Sequence, residues 1–114
     1  MINTPTATRL ARLPRLYQTE NIPLDDILIH LHFFIGSCDW FIAEYDGEGL
    51  FFGFAVLGGD WQNAEWGYVS FRELRDVRIH GGLQVDCELE KYWRVRPFSE
   101  VMKDYAPPEY QSGR

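Results

Sequence analysis

Three apolar runs separated by short glycine-containing turns constrain the fold of this chain most strongly. The runs are ILIHLHFFI at 27–35, WFIAEYD at 40–46 and LFFGFAVL at 50–57. Each run is rich in the β-branched and aromatic residues that are enriched in strands. Because the turns at Gly36 and Gly47 are short, neighbouring strands are expected to run antiparallel. The sequence therefore predicts an antiparallel meander at the centre of the fold.

Downstream of the meander, the sequence predicts two more strands, a hairpin and two short helices. AEWGYVS at 64–70 and KYWRVRP at 91–97 have strand patterns, and VRIHGGLQVD between them is typical of a hairpin closed by two glycines. Ser70 followed by Glu73 forms a capping box, which predicts that a helix begins there. PFSEVMKDY at 97–105 is predicted to start the second helix.

Length and element pattern together predict a single α+β domain over residues 1–114. Its centre is a curved, mainly antiparallel sheet of about five strands, flanked by short helices. Residues 1–12 are expected to form an N-terminal arm or short helix, which Thr4 and Pro5 can begin. Residues 105–114 are expected to be a loose tail. Gly53, inside the third run, predicts a bulge or the close approach of another backbone.

Charge is distributed unevenly along the chain, and this restricts the possible partners. The net charge of −6 combines nine acidic residues and no Lys or Arg across residues 18–71 with three arginines and no acid before them, while the charges after residue 71 balance. Nucleic acid is disfavoured as a direct partner, because phosphate contacts require clustered cations. A segment that lacks cations favours a basic partner, although an acidic surface also serves solubility alone.

Several other classes of protein are also disfavoured by the sequence. No run approaches the roughly 18 apolar residues of a membrane span, and no signal peptide is evident. Cys38 and Cys87 form neither a metal spacing nor a disulfide framework, which fits a reduced, cytoplasmic setting. No nucleotide-binding or catalytic motif occurs, so no cofactor is expected and a non-enzymatic role is favoured.

The first functional hypothesis is an acidic surface that binds a basic protein. We expect its charge to come from six residues of the cation-free segment, and its apolar anchor to be a tryptophan in a glycine-rich loop. Evenly spaced carboxylates on a strand would also resemble the charges of a nucleic-acid backbone. The predicted partner-binding residues are Asp39, Glu44, Asp46, Glu48, Asp60, Trp61 and Glu65.

The alternative hypothesis is a metal or small-ligand site, with a possible enzymatic role, around His30, His32 and Glu44. Alternate residues of a strand share a face, so two imidazoles can point towards one metal ion. The outcome depends on the register of the first hairpin. His30 lies opposite Glu44 if Ile35 faces Asp39. If Ile35 faces Trp40, His30 lies opposite Tyr45, and Glu44 and Asp46 lie on the other face of the sheet.

Glu44 and Asp46 allow a third, less favoured interpretation. Two residues on one strand face lie about 6.6 Å apart. Carboxylates at such a separation can act as general acid and base in a glycosidase-like mechanism. That mechanism requires a sugar-binding cleft, which the sequence does not indicate.

Four segments of the sequence resemble a bacterial family catalogued as a domain of unknown function. They are LPRLYQTENIPLDD, WFIAEYDGEGLFFGFAVL, AEWGYVSFREL and VRPFSEV, and the resemblance extends from Leu13 to Val101. Members of this family occur on plasmids, integrated conjugative elements and prophages. The resemblance therefore implies a small accessory protein of mobile elements, and it implies no catalytic residues. Inhibition of a nucleic-acid-binding host defence factor is the specific role that we expect from it.

Overall fold

The computed structural model describes residues 1–112. Within that range, short helices and strands alternate along the whole chain. The α-helices are α1 (Ala7–Ala11), α2 (Phe71–Asp76), α3 (Phe98–Tyr105) and α4 (Pro108–Ser112). Single turns of 3-10 helix occur at Leu24–Asp26, Trp61–Asn63 and His80–Gly82. No helix in the described part of the chain is long and apolar enough to cross a membrane.

A five-stranded antiparallel sheet forms the centre of the molecule, which confirms the predicted α+β fold. The order of its strands is β5-β4-β3-β2-β8. These strands are β2 (Leu31–Ile35), β3 (Cys38–Tyr45), β4 (Leu50–Val56), β5 (Glu65–Ser70) and β8 (Asp86–Cys87). Two small ladders lie beside it: β1 (Leu28–Ile29) with β9 (Arg96–Pro97), and β6 (Arg78–Ile79) with β7 (Leu83–Gln84). The second ladder is the hairpin predicted from its two glycines.

Both faces of the sheet are covered, so the sheet is the middle layer of three. Alternation along the strands sends side chains to opposite faces, where two separate apolar clusters form. One cluster contains Phe33 and Phe51 of the sheet together with Phe71 and Leu74 of α2. The other contains Phe41, Phe54 and Val56 together with residues of α3, Phe98, Val101 and Met102. Ser70 caps α2 as its sequence predicted, since the Glu73 N–H donates to Ser70 Oγ at 3.2 Å.

A β-bulge in β3 changes which face its last residues occupy. Ile42 pairs with Gly53, but Glu44 pairs with Phe52, so Ala43 is an extra residue in the ladder. The bulge brings the Phe41 carbonyl so close to Gly53 that an added Cβ would lie 2.3 Å from its oxygen. The prediction of a bulge or close approach at Gly53 is therefore confirmed, and only glycine fits there.

The first hairpin has a register that neither alternative anticipated. Ile35 pairs with Cys38, so the connection is the two-residue turn Gly36–Ser37. Gly36 has a φ of +54°, which is characteristic of the tight turns that join antiparallel strands. The predicted single strand 27–35 is also interrupted at His30, whose N–H donates to the Ile42 carbonyl at 2.8 Å.

Three local predictions towards the chain ends differ from the structure. The short helix expected within residues 1–12 is present as α1, but Thr6 rather than Thr4 caps it, since the Arg9 N–H donates to Thr6 Oγ1 at 3.1 Å. Segment 91–97 is a strand only at Arg96–Pro97. Before it the chain forms a turn, in which the Trp93 N–H donates to the Leu89 carbonyl. The tail predicted to be loose contains α4, and its last two residues lie outside the described range.

Candidate functional site

The six acidic residues that were predicted to form one surface lie at opposite ends of the sheet. One group lies where β3 begins and β5 begins: Asp39, Asp60 and Glu65. The other group lies where β3 ends and β4 begins: Glu44, Asp46 and Glu48. The strand between Asp39 and Glu44 spans about 17 Å at the usual rise per residue. The prediction of a single acidic face is therefore wrong.

Glu44 is an internal structural residue and presents no charge to a partner. The bulge turns its side chain under the loop that precedes β1, where it is 3% exposed. Its two carboxylate oxygens accept N–H groups of Tyr17 at 3.0 Å and Thr19 at 2.9 Å. The Thr19 hydroxyl donates to the same carboxylate. These bonds satisfy the buried charge and hold the loop against the sheet.

Asp46 shapes the turn between β3 and β4. Its Oδ1 accepts backbone N–H groups from Leu50 at 2.9 Å, Glu48 at 2.7 Å and Gly49 at 2.9 Å. Hydrogen bonds from the N–H groups of Leu50 and Glu48 hold the pKa of Asp46 below its usual value. Because Glu44 is buried and Asp46 is bound to this turn, the two do not flank a cleft. The glycosidase-like pairing of Glu44 with Asp46 is therefore wrong.

The predicted metal trio of His30, His32 and Glu44 is not assembled. Glu44 is bound to the Tyr17–Thr19 loop, and His32 is bound elsewhere by both ring nitrogens. His30 lies at the interruption between β1 and β2, where burial lowers the pKa of its imidazole. Across residues 1–112, no cluster of three or more His, Cys, Asp or Glu side chains is suited to hold a metal ion.

His32 instead bridges two carboxylates beneath α3. Its Nε2 lies 2.7 Å from Asp39 Oδ1, and its Nδ1 lies 3.3 Å from Glu88 Oε1. Its ring stacks on Phe41 with centroids 4.7 Å apart. The Tyr105 hydroxyl donates to Glu88 at 3.1 Å, and burial together with that carboxylate raises the pKa of Tyr105 to about 12.

This arrangement ties β2, β3 and α3 together. His32 belongs to β2, Asp39 to β3, and Tyr105 to the last turn of α3. Both imidazole nitrogens of His32 are occupied by carboxylates, so neither is available to a substrate. The network is best explained as a structural connection between the sheet and α3.

A concave site lies at the end of the sheet that carries Asp60. We call it the acid–aromatic groove, and its volume is about 690 Å³. Two kinds of side chain dominate its lining. Three are carboxylates: Asp25, Asp60 and Glu109. Five are aromatic: Phe54, Trp61, Trp66, Phe98 and Tyr110.

Local sequence explains how Asp60 and Trp61 are positioned in the groove. Asp60 caps the short helix Trp61–Asn63: its carboxylate accepts the Asn63 backbone N–H at 3.3 Å and the Asn63 side-chain amide at 2.7 Å. The cap sets Trp61 half-buried beside Tyr110, with ring centroids 5.5 Å apart. Trp61 is therefore partly accessible at the groove wall.

Long-range packing supplies the opposite wall of the groove. Trp66 extends from β5. The centroid of its ring lies 4.8 Å from that of Phe98, at the start of α3, and 5.7 Å from that of Phe54 in β4. The carboxylates of Asp25 and Glu109 come from a 3-10 turn and from α4. The groove is thus assembled from parts of the chain that are distant in sequence.

The lining of the groove is chemically suited to a cation. Among the described residues that line it there is no Lys, Arg or His. Aromatic faces attract a guanidinium or ammonium group, and nearby carboxylates neutralise its charge. The wall also has enough apolar surface to contact the methylene stem of such a side chain.

The sequence identified part of this site. Asp60 and Trp61 were predicted to bind a partner and lie together in the groove, whereas Glu65 is an exposed residue of β5 beside it. Trp66 was not predicted to be part of a site. Asp25 and Glu109 were not predicted, because nothing in the local sequence shows that the two lie near each other.

The fold and this groove define a small α+β domain with an acidic and aromatic concave site. The chain belongs to the family described as "Protein of unknown function (DUF2958)", whose family model matches residues 7–104. Neither the curated proteins nor the solved structures include a match to the chain. Family membership therefore assigns no chemistry, and function has to be inferred from the groove.

Proposed function

We propose that the protein binds a basic segment of a partner protein through the acid–aromatic groove. One observation carries the proposal: the Asp60 carboxylate lies beside the half-buried Trp61 in a cavity that four other aromatic residues also line. A basic side chain that enters the groove would be both charge-neutralised and stacked. Few other ligands use both properties at once.

The charge of the whole chain supports such a partner. A net charge of −6, with no Lys or Arg across residues 18–71, favours encounter with a positively charged protein. Attraction of this kind raises the association rate and weakens as salt is added. The six acidic residues contribute to the field even though they do not form one face.

The biological role that we propose is that of a cytoplasmic accessory protein of a mobile element. Its basic partner would be a nucleic-acid-binding host defence factor, which the protein inhibits. Competition with nucleic acid for cationic side chains of the partner is a direct route to inhibition. Imitation of a nucleic-acid backbone is not required, since Glu44 and Asp46 are bound internally.

The test uses an octa-arginine peptide as probe and isothermal titration calorimetry as readout. Asp60→Asn removes one charge from the groove, and because Asn also caps helices the Trp61–Asn63 turn is expected to persist. We expect it to weaken binding about fivefold, and Trp61→Ala to weaken it about tenfold. Binding by the unaltered protein is expected to weaken with added salt.

The matched control is Glu48→Gln, which removes the same charge from an exposed turn at the opposite end of the sheet. We expect its affinity to equal that of the unaltered protein. Equal losses in Asp60→Asn and Glu48→Gln would show diffuse charge attraction and would contradict binding in the groove. Absence of any binding would contradict the proposed function itself.

A further inference from the structure

Strand β5 is a free edge of the central sheet. It pairs with β4 on one side and is the last strand in the order. None of its six residues is buried, and Tyr68 is 55% exposed. It contains no Lys or Pro, the residues that commonly protect an edge strand from pairing.

The register shows which backbone groups face outward. The Phe71 N–H donates to the Gly49 carbonyl at 2.8 Å, so these two form a hydrogen-bonded pair at the end of the ladder. Hydrogen-bonded pairs alternate along an antiparallel ladder, so Gly67 and Val69 direct their groups towards β4. The N–H and C=O groups of Trp66 and Tyr68, and the N–H of Ser70, then point away from the sheet, while the Ser70 carbonyl belongs to the first turn of α2.

Two neighbouring cavities lie beside this edge. Trp66 lines the acid–aromatic groove, and Tyr68 lines a second cavity of about 250 Å³. The exposed carboxylate of Glu20 lines the second cavity, and no described Lys or Arg does; Glu44 also borders it but is bound to the Tyr17–Thr19 loop. Leu24 lines both cavities, so they adjoin each other.

The spacing of the cavities matches the period of a strand. Trp66 and Tyr68 are two residues apart, so their side chains share a face and stand about 7 Å apart. A strand laid along β5 would place its own alternate side chains at the same interval. Those side chains would approach the two acidic cavities in turn.

We propose that an extended segment of the basic partner adds to the sheet as a sixth strand beside β5. Its backbone pairs with Trp66, Tyr68 and Ser70, and cationic side chains two residues apart occupy the acid–aromatic groove and the second cavity. This inference rests on the proposed function and specifies the conformation and spacing of the segment that is bound. A second copy of the chain is a poorer occupant, because it would bring two chains of charge −6 together.

The experiment selects ten-residue peptides from a random display library against the complete protein. We expect the selected peptides to carry Lys or Arg at alternate positions. Hydrogen exchange followed by NMR then reports on the edge. In the free protein, we expect the amides of Trp66 and Tyr68 to exchange rapidly and those of Gly67 and Val69 slowly. Bound peptide is expected to slow hydrogen exchange at the Trp66 and Tyr68 amides at least about tenfold.

N-methylated forms of a selected peptide provide the matched control. Methyl groups on one set of alternate backbone nitrogens face β5 and block the pairing, and those on the other set face solvent. We expect the form whose methyl groups face β5 to lose about tenfold or more in affinity, and the form whose methyl groups face solvent to keep its affinity. Equal effects of the two forms would overturn strand addition.

The outcomes separate this inference from the proposed function. Basic peptides that bind without protecting Trp66 and Tyr68 would overturn strand addition and leave the proposed function standing. Selected peptides without basic residues would overturn the proposed function. Protection of the β5 amides that grows with protein concentration, in the absence of peptide, would show a second copy at the edge and would overturn the inference.

Discussion

Thr19 donates its backbone N–H to the carboxylate of Glu44 at 2.9 Å, across 25 residues of sequence. The same carboxylate accepts the N–H of Tyr17, so one buried side chain holds both ends of a short loop segment. A carboxylate that the charge pattern presented as a surface group is therefore part of the fold. Its burial also explains why the acidic residues do not form a continuous face.

Glu44→Gln is predicted to destabilise the protein. The replacement puts an NH₂ group where a carboxylate oxygen accepts a backbone N–H, so at least one buried donor loses its partner. We expect the free energy of unfolding to fall by about 2–3 kcal/mol, measured by urea denaturation. Glu48→Gln, in an exposed turn, is the control and is expected to leave the midpoint unchanged. A Glu44→Gln protein as stable as the parent would show that the loop is not held by this residue.

Gly53→Ala is predicted to disrupt the bulge in β3. Its Cβ would lie 2.3 Å from the Phe41 carbonyl oxygen, so the two strands would have to separate. We expect a loss of about 3 kcal/mol in unfolding free energy. Gly67→Ala on the neighbouring strand is a matched control, since no atom lies within 4 Å of the added Cβ. Similar stability of the two variants would contradict the packing described at Gly53.

His30 is predicted to make stability fall on acidification. Burial lowers its pKa below the value of 6.5 for an exposed histidine, so the unfolded chain binds the proton more readily. Both states are neutral well above 6.5, and stability is lost as the pH falls through 6.5 towards the folded-state pKa. His30→Gln is expected to reduce the loss between pH 7.5 and about 5 in urea titrations. If His30→Gln had the same pH dependence of stability as the parent protein, the role assigned to His30 would be contradicted.

The two thiols are predicted to differ in reactivity. Burial raises the pKa of Cys87 to about 11, so at pH 8 only about one thiol in a thousand is ionised. Cys38 is half-buried at the start of β3. We expect iodoacetamide to label Cys38 first, as determined by peptide mass mapping of the folded protein. Labelling of Cys87 at the same rate would show that β8 opens readily.

Local pattern predicted the central strands but not their exact pairing. The apolar runs and glycine turns identified β2, β3 and β4, because strand formation there depends on nearest neighbours in sequence. The two-residue turn at Gly36–Ser37 and the extra residue Ala43 then shifted the register. One inserted residue moves every later side chain to the other face, which is why Glu44 was assigned to the surface.

The segments that were predicted wrongly depend on distant contacts. Trp93 was assigned to a strand, yet its indole N–H donates to the Ile29 carbonyl at 3.0 Å and the segment has no sheet partner before Arg96. The lining of the acid–aromatic groove likewise depends on contacts between residues that are distant in sequence. Asp60 and Trp61 are neighbours in sequence and were found together, whereas Asp25 and Glu109 meet them only through the tertiary fold.

Site-specific photo-crosslinking in cells tests the central claim most directly. A photoreactive amino acid at Gln62, in the wall of the acid–aromatic groove, is compared with one at Glu48 in the exposed turn at the other end of the sheet. We predict one defined adduct from position 62, to a basic segment of a second protein, and none from position 48. Equal crosslinking at both positions, or an adduct at position 48 alone, would contradict binding in the groove.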